Sequence, residues 1–188
     1  MKNIIIISIT LISFVLSGNI LSSQISPKKE KQKNYIDTLK KWEANYEMTI
    51  EYIKEHEGFN NGRAYTCAAG YTTIGHGHVV KENEYFPEKI SREYADRLVR
   101  QDFNMALKLV EMYSPNIHGN KKLAIAHFVY AKGIGNYLKS SLKTKVDNNE
   151  PIDDEIVKWC HYRNKNGKRV RSQYSYEIRL WELKMYNS

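Results

Sequence analysis

One apolar stripe of helical period constrains this chain more than any other feature. Its members recur at steps of three and four residues, as on one face of a helix: Ile36, Leu39, Trp42, Tyr46, Ile50 and Ile53. The next position on that face is Glu57, and the following Gly58 is a natural helix stop. The helix dipole and burial both disfavour a negative charge there, so both raise a carboxyl pKa. A carboxyl group of this kind can serve as a general acid near neutral pH.

The rest of the chain predicts an α+β fold in which helices dominate. Residues 58–80 are rich in Gly, Thr and Tyr, which predicts a small β-hairpin sheet beside the first helix. Ser91 is expected to cap a helix that ends near Pro115, and Asn120 to cap the next one. Further helical segments are predicted over 137–146, 152–159 and 174–185. The outline is one helix, a small β element and a C-terminal helical bundle.

The first residues have the pattern of a secretory signal peptide. Lys2 precedes an apolar run over 4–16, and small polar residues follow. The run is shorter than the roughly 20 residues that a membrane-spanning helix needs. We therefore predict export with cleavage near Ser23 or Gln24, while a retained membrane anchor and a buried helix stay open as alternatives.

These features divide the chain into three predicted parts. Residues 1–24 are a signal peptide or a membrane anchor, and residues 25–34 are a charged linker that lacks apolar side chains over 27–34. Residues 35–188 are one domain, since the chain length of 188 suits a single domain after processing. Such a domain is long enough to bury a core without staples.

The formal net charge of +8 favours an anionic partner, which includes nucleic acid, anionic lipid and the acidic bacterial wall. Export argues against nucleic acid, and simple solubility is the alternative explanation of the charge. A basic stretch near the C-terminus is either a solvated charged face or a contact with wall polymer: Arg163, Lys165, Lys168, Arg169 and Arg171.

Two cysteines, Cys67 and Cys160, leave the thiol chemistry open. They could pair in an oxidising compartment or remain two separate thiols, and two cysteines do not make a disulfide scaffold. His76 and His78 form an HxH pair, but two ligands without a third are a weak zinc signal. We expect no metal and no cofactor.

Short motifs recur in order around Glu57. Nine residues separate Glu57 from Cys67, five separate Cys67 from Thr73, and the words EG, AY, AAG, TIG and GH fall between Glu57 and His78. This set resembles the phage-type, T4-like lysozymes, the endolysin muramidase family. Their signature is Glu, eight residues, Asp or Cys, five residues and Thr, so one residue is inserted here. The resemblance extends more weakly over 36–185.

The resemblance implies a lysozyme-like domain that hydrolyses the β-1,4 bond between N-acetylmuramic acid and N-acetylglucosamine in peptidoglycan. Glu57 would be the acid, Cys67 would take the place of the second catalytic group, and Thr73 would help hold the water. Inversion of configuration is the outcome implied by the family. His78 corresponds to a structural histidine and is expected to pair with Asp102.

Several of these roles have alternatives. A thiol such as Cys67 is a poor base unless its pKa is lowered, so it could be a thiolate base, a nucleophile or a space-filler. A bridge to Cys160 would abolish any thiol role, and Thr73 could be an ordinary strand threonine. Three aromatic residues are expected to line the sugar cleft, although any of the 14 tyrosines could instead belong to the core or the surface: Tyr65, Tyr71 and Tyr130.

Departures from the family pattern leave two rival functions open. The Asn of the Phe-Asn-x-Gly segment appears as Ala131, and Gln173 and Tyr174 stand where the family often has two arginines. One rival is a lytic transglycosylase with a single acid, and the other is a non-catalytic peptidoglycan-binding domain with a lysozyme fold. In each case we expect a periplasmic or secreted monomer that binds peptidoglycan, not nucleic acid. It would touch a membrane only if the N-terminal segment is retained.

Overall fold

The structure is a computed structural model that describes residues 27–67, 70–163 and 166–188. The predicted leader over 1–24 lies outside the described residues. Thr38–Ser188 form one compact unit, which contains every site discussed below. Within the described ranges, no helix combines the length and the apolar character that crossing a membrane requires.

The described residues form seven α-helices, a 3₁₀ turn and five short strands. The helices are α1 (Pro27–Glu57), α2 (Arg92–Tyr113), α3 (Gly119–Lys132), α4 (Ile134–Leu138), α5 (Ser141–Asp147), α6 (Asp153–Ile156) and α7 (Gln173–Tyr186), with the 3₁₀ turn at Val157–Cys160. The strands are β1 (Tyr65–Thr66), β2 (Thr72–Ile74), β3 (His78–Val79), β4 (His161–Arg163) and β5 (Arg169–Arg171). The predicted helix-dominated α+β class is confirmed.

Helix α1 begins earlier than its apolar stripe suggested. It starts at Pro27, so most of the segment predicted as a charged linker over 25–34 is helical. Proline suits the first helical position, and the Lys, Glu and Gln residues that follow are good helix formers. The helix continues without a break through residue 35, where the sequence predicted that the domain begins.

The other end of α1 lies where the sequence predicted it. Glu57 is its last residue, and Gly58 adopts a left-handed φ of 70° while its N–H donates to the carbonyl of Lys54 at 3.0 Å. This is a glycine C-terminal cap. The apolar stripe is fully buried at Ile50 and Ile53, the two members closest to Glu57.

A three-stranded antiparallel sheet follows α1 in the order β1-β2-β3. Tyr65 pairs with Thr73, and Ile74 pairs with His78. The sheet packs on a small core cluster of buried residues: Ile74, Ile90, Ala95 and Leu98. It is the hairpin sheet that the Gly-, Thr- and Tyr-rich composition predicted.

The helical part packs around α3, whose residues from Leu123 to Val129 are all buried. Ser91 caps α2 as predicted, because its side chain accepts a hydrogen bond from the Tyr94 N–H at 3.2 Å. The prediction for Asn120 is wrong, since α3 starts at Gly119 after His118. The Asn120 side chain instead bonds to side chains outside its own helix.

Two further sequence predictions change in detail. The segment over 137–146 is divided between α4 and α5, because Ser140 starts a new helix by accepting from the Lys143 N–H at 3.2 Å. The basic stretch is not simply a loop, since β4 and β5 form a two-stranded antiparallel hairpin within it. Side-chain charge concealed the strand pattern there, because period-2 alternation is normally recognised from apolar residues.

Candidate active site

An open cleft of about 610 Å³ lies between the three-stranded sheet and helices α2 and α3. The end of α1 forms part of its wall. The cleft brings together most of the side chains predicted from the sequence: Glu57, Tyr65, Cys67, Thr73, His78, Asp102 and Tyr130. These residues come from six elements and the turn after β1, so the fold assembles a site from positions up to 73 residues apart.

Glu57 presents its carboxyl group to this cleft. The residue is exposed by surface area, yet protein atoms around the carboxyl group desolvate it and raise its pKa above the ordinary 4.5. The charges of His127, His56 and His76 act in the opposite direction and lower it. Within the described part of the chain, Glu57 has no hydrogen-bonding or ion-pairing side chain. An unpaired, partly desolvated carboxyl group can hold a proton for transfer.

The backbone of Gly77 passes directly beside this carboxyl group. A Cβ atom built at Gly77 would lie 3.2 Å from Glu57 Oε2 and 3.7 Å from its Cδ. Gly77 also has a φ of 92°, in the left-handed region that side chains rarely adopt. Only a residue without a side chain therefore leaves the carboxyl group its present position.

The charge of Glu57 affects the pKa of three tyrosines. Burial raises the pKa of Tyr65, Tyr130 and Tyr174, and the carboxylate charge of Glu57 raises each of them further. Tyr174 also donates from its hydroxyl to the carbonyl of His56 at 2.8 Å, which ties the start of α7 to the end of α1. Sequence reasoning treated Tyr174 only as a departure from the family pattern. Its proximity to Glu57 depends on a contact across 118 residues.

Cys67 and Thr73 lie on the sheet side of the cleft. Cys67 is half-buried, Cys160 is buried at the end of the 3₁₀ turn, and both side chains are thiols rather than disulfides. The considered disulfide is therefore absent between these two described cysteines. Thr73 is buried and donates its hydroxyl proton to the carbonyl of Tyr71 at 3.1 Å. This leaves the Thr73 oxygen as an acceptor toward the cleft.

Tyr71 does not belong to the cleft, contrary to the prediction. Its ring is 61% exposed and does not line the cleft. The residue precedes β2, where its carbonyl accepts from the Cys67 N–H at 2.9 Å. Its backbone helps shape the site, but its side chain is not part of the lining.

His78 lies between two carboxylates. Its Nδ1 is 2.7 Å from Asp102 Oδ2, the partner predicted for it, and its Nε2 is 3.0 Å from Glu84 Oε2. The hydrogen bond with Asp102 is the main reason that the pKa of His78 is raised, and burial opposes it. The contact with Glu84 was not predicted. It links the segment after β3 to the sheet and to α2.

His76 has a different role from a metal ligand. It is buried, and its Nε2 lies 2.9 Å from Asp96 Oδ1, while Asp96 also pairs with Lys54 at 2.8 Å. The two histidines of the HxH pair thus bond to carboxylates on separate turns of α2. Over the described ranges, no three His, Cys, Asp or Glu side chains are grouped as a metal site requires.

A buried charged cluster lies between α3 and α7. His127 Nδ1 is 2.6 Å from Glu182 Oε1, and Arg179 Nη2 donates to the same oxygen at 2.8 Å. All three side chains are at most 4% exposed. The Tyr52 ring stacks on Trp181 at 4.0 Å above the cluster. The sequence suggested only packing or exposure for His127, because its partner is 55 residues away.

Comparisons with known proteins agree with this architecture. The sequence profile of the phage lysozyme family matches residues 54–175. An endolysin of Acyrthosiphon pisum secondary endosymbiont phage 1 is 29% identical over 127 residues, which are 66% of this chain and 84% of that protein.

Two solved structures share the fold. The muramidase domain of SpmX from Asticaccaulis excentricus has a TM-score of 0.65 at 21% identity, covering 75% of this chain and 95% of that one. The endolysin from Escherichia coli O157:H7 phage FAHEc1 has a TM-score of 0.62 at 23% identity, covering 73% and 89%. Because the profile match includes Glu57 and the whole cleft and spans more than half of the sequence, this chain belongs to the phage lysozyme family.

Proposed function

We propose that this chain is an exported muramidase that hydrolyses the β-1,4 bond between N-acetylmuramic acid and N-acetylglucosamine in peptidoglycan. Glu57 is the general acid. The observation behind this assignment is the position of its unpaired carboxyl group in an open cleft, where desolvation raises its pKa. Membership of the phage lysozyme family supports a peptidoglycan substrate.

In the proposed reaction, Glu57 donates its proton to the glycosidic oxygen as the bond to the sugar carbon breaks. A water molecule then attacks the oxocarbenium-like carbon from the opposite face, which gives inversion of configuration, and its released proton passes through solvent to restore the Glu57 carboxyl group. Cys67 and Thr73 hold this water. The acceptor oxygen of Thr73 and the half-buried thiol of Cys67, both in the lining, support that role.

Tyr65 and Tyr130 are the proposed sugar contacts. Both line the cleft with Glu57, and an aromatic ring offers an apolar face to the C–H face of a sugar. Tyr71 is not included, because its ring is outside the lining. His78 and Asp102 are proposed to hold the sheet against α2 rather than to touch the bond that breaks.

A lytic transglycosylase is the second candidate, and one observation favours it. The position of the second catalytic group is occupied by a thiol rather than a carboxylate, and a transglycosylase needs a single acid. In that reaction the 6-hydroxyl of the muramic acid replaces water, and the product ends in an anhydro sugar. The two reactions therefore differ in product and not in the role of Glu57.

Product analysis of digested peptidoglycan separates these candidates. Purified sacculi are incubated with the protein, and the soluble fragments are separated and weighed by mass spectrometry. The hydrolase produces reducing ends that borohydride converts to alditols. Anhydro ends would establish the transglycosylase instead, and intact glycan would establish a binding domain without activity.

A periplasmic or secreted location completes the proposal. The signal-like pattern of residues 1–24 and a peptidoglycan substrate both support export. Fractionation of cells that produce the full chain, followed by N-terminal sequencing of the mature protein, tests it. A new N-terminus near Ser23 or Gln24 is expected, whereas an intact Met1 in the membrane fraction would favour the anchor.

A further inference from the structure

Most of the net positive charge of this protein belongs to one segment. Between Glu155 and Glu177 the sequence has six Lys or Arg residues and no Asp or Glu. The whole chain has 29 Lys and Arg against 21 Asp and Glu, so the remainder has 23 against 21. Charges that serve solubility alone need no such concentration. A local field of one sign is typical of a site for an oppositely charged ligand.

The geometry of this segment keeps the positive charges close together. In the β4–β5 hairpin, Arg163 is opposite Arg169 and His161 is opposite Arg171. Alternate positions of a strand share a face, so these four positions belong to one face of the hairpin. Arg169 and Arg171 therefore share one face of β5, where an anion could contact both.

The two arginines of β5 are available to such an anion. Arg169 and Arg171 are exposed, and neither has a carboxylate partner within the described residues. The Arg171 guanidinium lies 4.0 Å from the Tyr176 ring centroid and donates to Gln173 Oε1 at 2.9 Å, which holds it in place. The Arg169 guanidinium contacts the imidazole of His161, with Nη2 3.4 Å from Nδ1.

The acidic residues that flank the segment do not pair with the arginines of β5. Glu155 accepts from Ser141 Oγ and from Lys158 Nζ, both at 2.6 Å, so it pairs with the first positive residue of the segment. Glu177 accepts from Gln173 Nε2 at 3.1 Å. Neither carboxylate forms an ion pair with Arg169 or Arg171 among the described residues.

A groove of about 350 Å³ adjoins the hairpin and adds aromatic surface to it. Its lining is Lys158, Trp159, His161, Tyr162 and Arg169, none of which lines the cleft around Glu57. The edge-on contact of Trp159 with Phe128, with ring centroids 5.2 Å apart, holds the indole in place. Tyr162 is 54% exposed. Cations beside aromatic rings suit a chain that alternates anionic groups with sugar or polyol carbons.

We propose that the β4–β5 hairpin and this groove bind a phosphodiester-linked polyol or sugar chain of the bacterial envelope, at a site separate from the cleft. The guanidinium fork of arginine matches the oxygens of a phosphate group. Arg169 and Arg171 are two positions apart in a strand, which places their Cα atoms roughly 6.5 Å apart. Successive phosphates of an extended polyol-phosphate chain have a comparable spacing. A bilayer fits less well, because Tyr162 is the one large exposed hydrophobic side chain among the described hairpin residues.

Calorimetric titration of the full chain with poly(glycerol phosphate) tests the proposal. This probe has no glycosidic bond, so the result is independent of the hydrolase activity. The variant is Arg169→Gln/Arg171→Gln. Its matched control is Lys40→Gln/Lys41→Gln, which removes the same charge from exposed positions of α1. We expect the hairpin variant to weaken binding about tenfold or more and to flatten the salt dependence by roughly 1.5 in log–log slope, since two phosphate contacts are lost.

The conservative variant Arg169→Lys/Arg171→Lys keeps the charge but loses the guanidinium fork, and we expect it to bind with intermediate affinity. Circular dichroism checks that each variant is folded. Equal weakening in the α1 control would overturn the proposal, because overall charge would then explain the binding. No weakening in either variant would also overturn it. Equally tight binding of poly-glutamate, or binding to phosphatidylglycerol vesicles without binding to the polymer, would overturn the assignment of a phosphodiester chain.

Discussion

The two sides of the cleft pack on hydrophobic clusters of very different size. The sheet side, with β1 to β3, packs on a cluster of four buried residues in the described chain, whereas the helical side packs on a cluster of 21. Polar contacts hold the sheet side instead, through His76 with Asp96 and His78 with Asp102. The two sides therefore differ in their role. The helical side supplies stability, and the lightly packed sheet side positions the groups proposed to act on substrate.

The helical side also includes a buried ionic cluster whose burial is costly. Arg179 and Glu182 are at most 1% exposed, and Glu182 Oε1 is shared between Arg179 and His127. Glu182 Oε2 and two Arg179 nitrogens, Nε and Nη1, have no hydrogen-bond partner there. Removing one partner from such a cluster leaves a buried charge uncompensated.

The largest expected effect is therefore on stability, at Glu182. Glu182→Gln should lower the free energy of unfolding by about 3–5 kcal/mol, because it leaves buried Arg179 without a counter-charge. Urea unfolding monitored by circular dichroism measures it. Glu43→Gln, an exposed position of α1, is the control and should change stability by less than about 0.5 kcal/mol. Equal stabilities for the two variants would contradict the claim that the helical side supplies stability.

On the sheet side, the expected effect is on turnover. Gly77→Ala places a methyl carbon 3.2 Å from Glu57 Oε2, so the carboxyl group must shift by a few tenths of an ångström, and turnover should fall by up to about tenfold, less than the roughly 100-fold that a 1 Å misplacement can cost. The control is Gly70→Ala, because Gly70 has a similar φ of 86° but open space around a Cβ. Both variants experience the same backbone strain. An equal loss of peptidoglycan digestion in both would mean that strain, not crowding of Glu57, is the cause.

A smaller loss of stability is expected at Ser91. This residue caps α2, a helix that packs on both sides of the cleft. Ser91→Ala removes the hydrogen bond to the Tyr94 N–H and should cost about 1 kcal/mol of stability. Ser91→Thr retains a capping hydroxyl and should recover most of that loss. If the alanine variant unfolds at the same urea concentration as the parent, the cap contributes nothing here.

The smallest effect concerns His78 and pH. Its pKa is raised in the folded protein, so its ionic contacts stabilise the fold fully below the unfolded pKa of about 6.5. This contribution is lost as the pH rises through the folded pKa. It is limited because Asp102 and Glu84 are partly exposed and screened. Stability curves measured from pH 6 to pH 9 should be flatter for His78→Gln than for the parent, and parallel curves would contradict the account.

The parts of this structure that depend on local signals could be predicted from the sequence. The stripe that ends at Glu57-Gly58, the glycine-rich hairpin sheet and the Ser91 cap each follow from neighbouring residues. The proximity of His78 to Asp102 came from family resemblance, and the two side chains lie 2.7 Å apart. Local patterns and motif order were sufficient for these features.

Other features depend on contacts that no local pattern encodes. Glu182 meets His127 across 55 residues, and Tyr174 meets His56 across 118. Tyr71 lies in the turn before β2, where no strand or helix period predicts which way a side chain faces, so the sequence could not place its ring. The β4–β5 hairpin was missed because its exposed positions are basic rather than apolar.

The most direct test of the central claim is Glu57→Gln, compared with the parent on purified peptidoglycan. Glutamine keeps the size of the side chain but cannot donate the acidic proton, so release of reducing ends should fall by about 100- to 10,000-fold. Because the pKa of Glu57 is raised in the fold, its ionisation at pH 7 costs stability, and the variant should unfold at the same or a higher urea concentration. Retained peptidoglycan cleavage by the folded variant would contradict the claim that Glu57 is the acid.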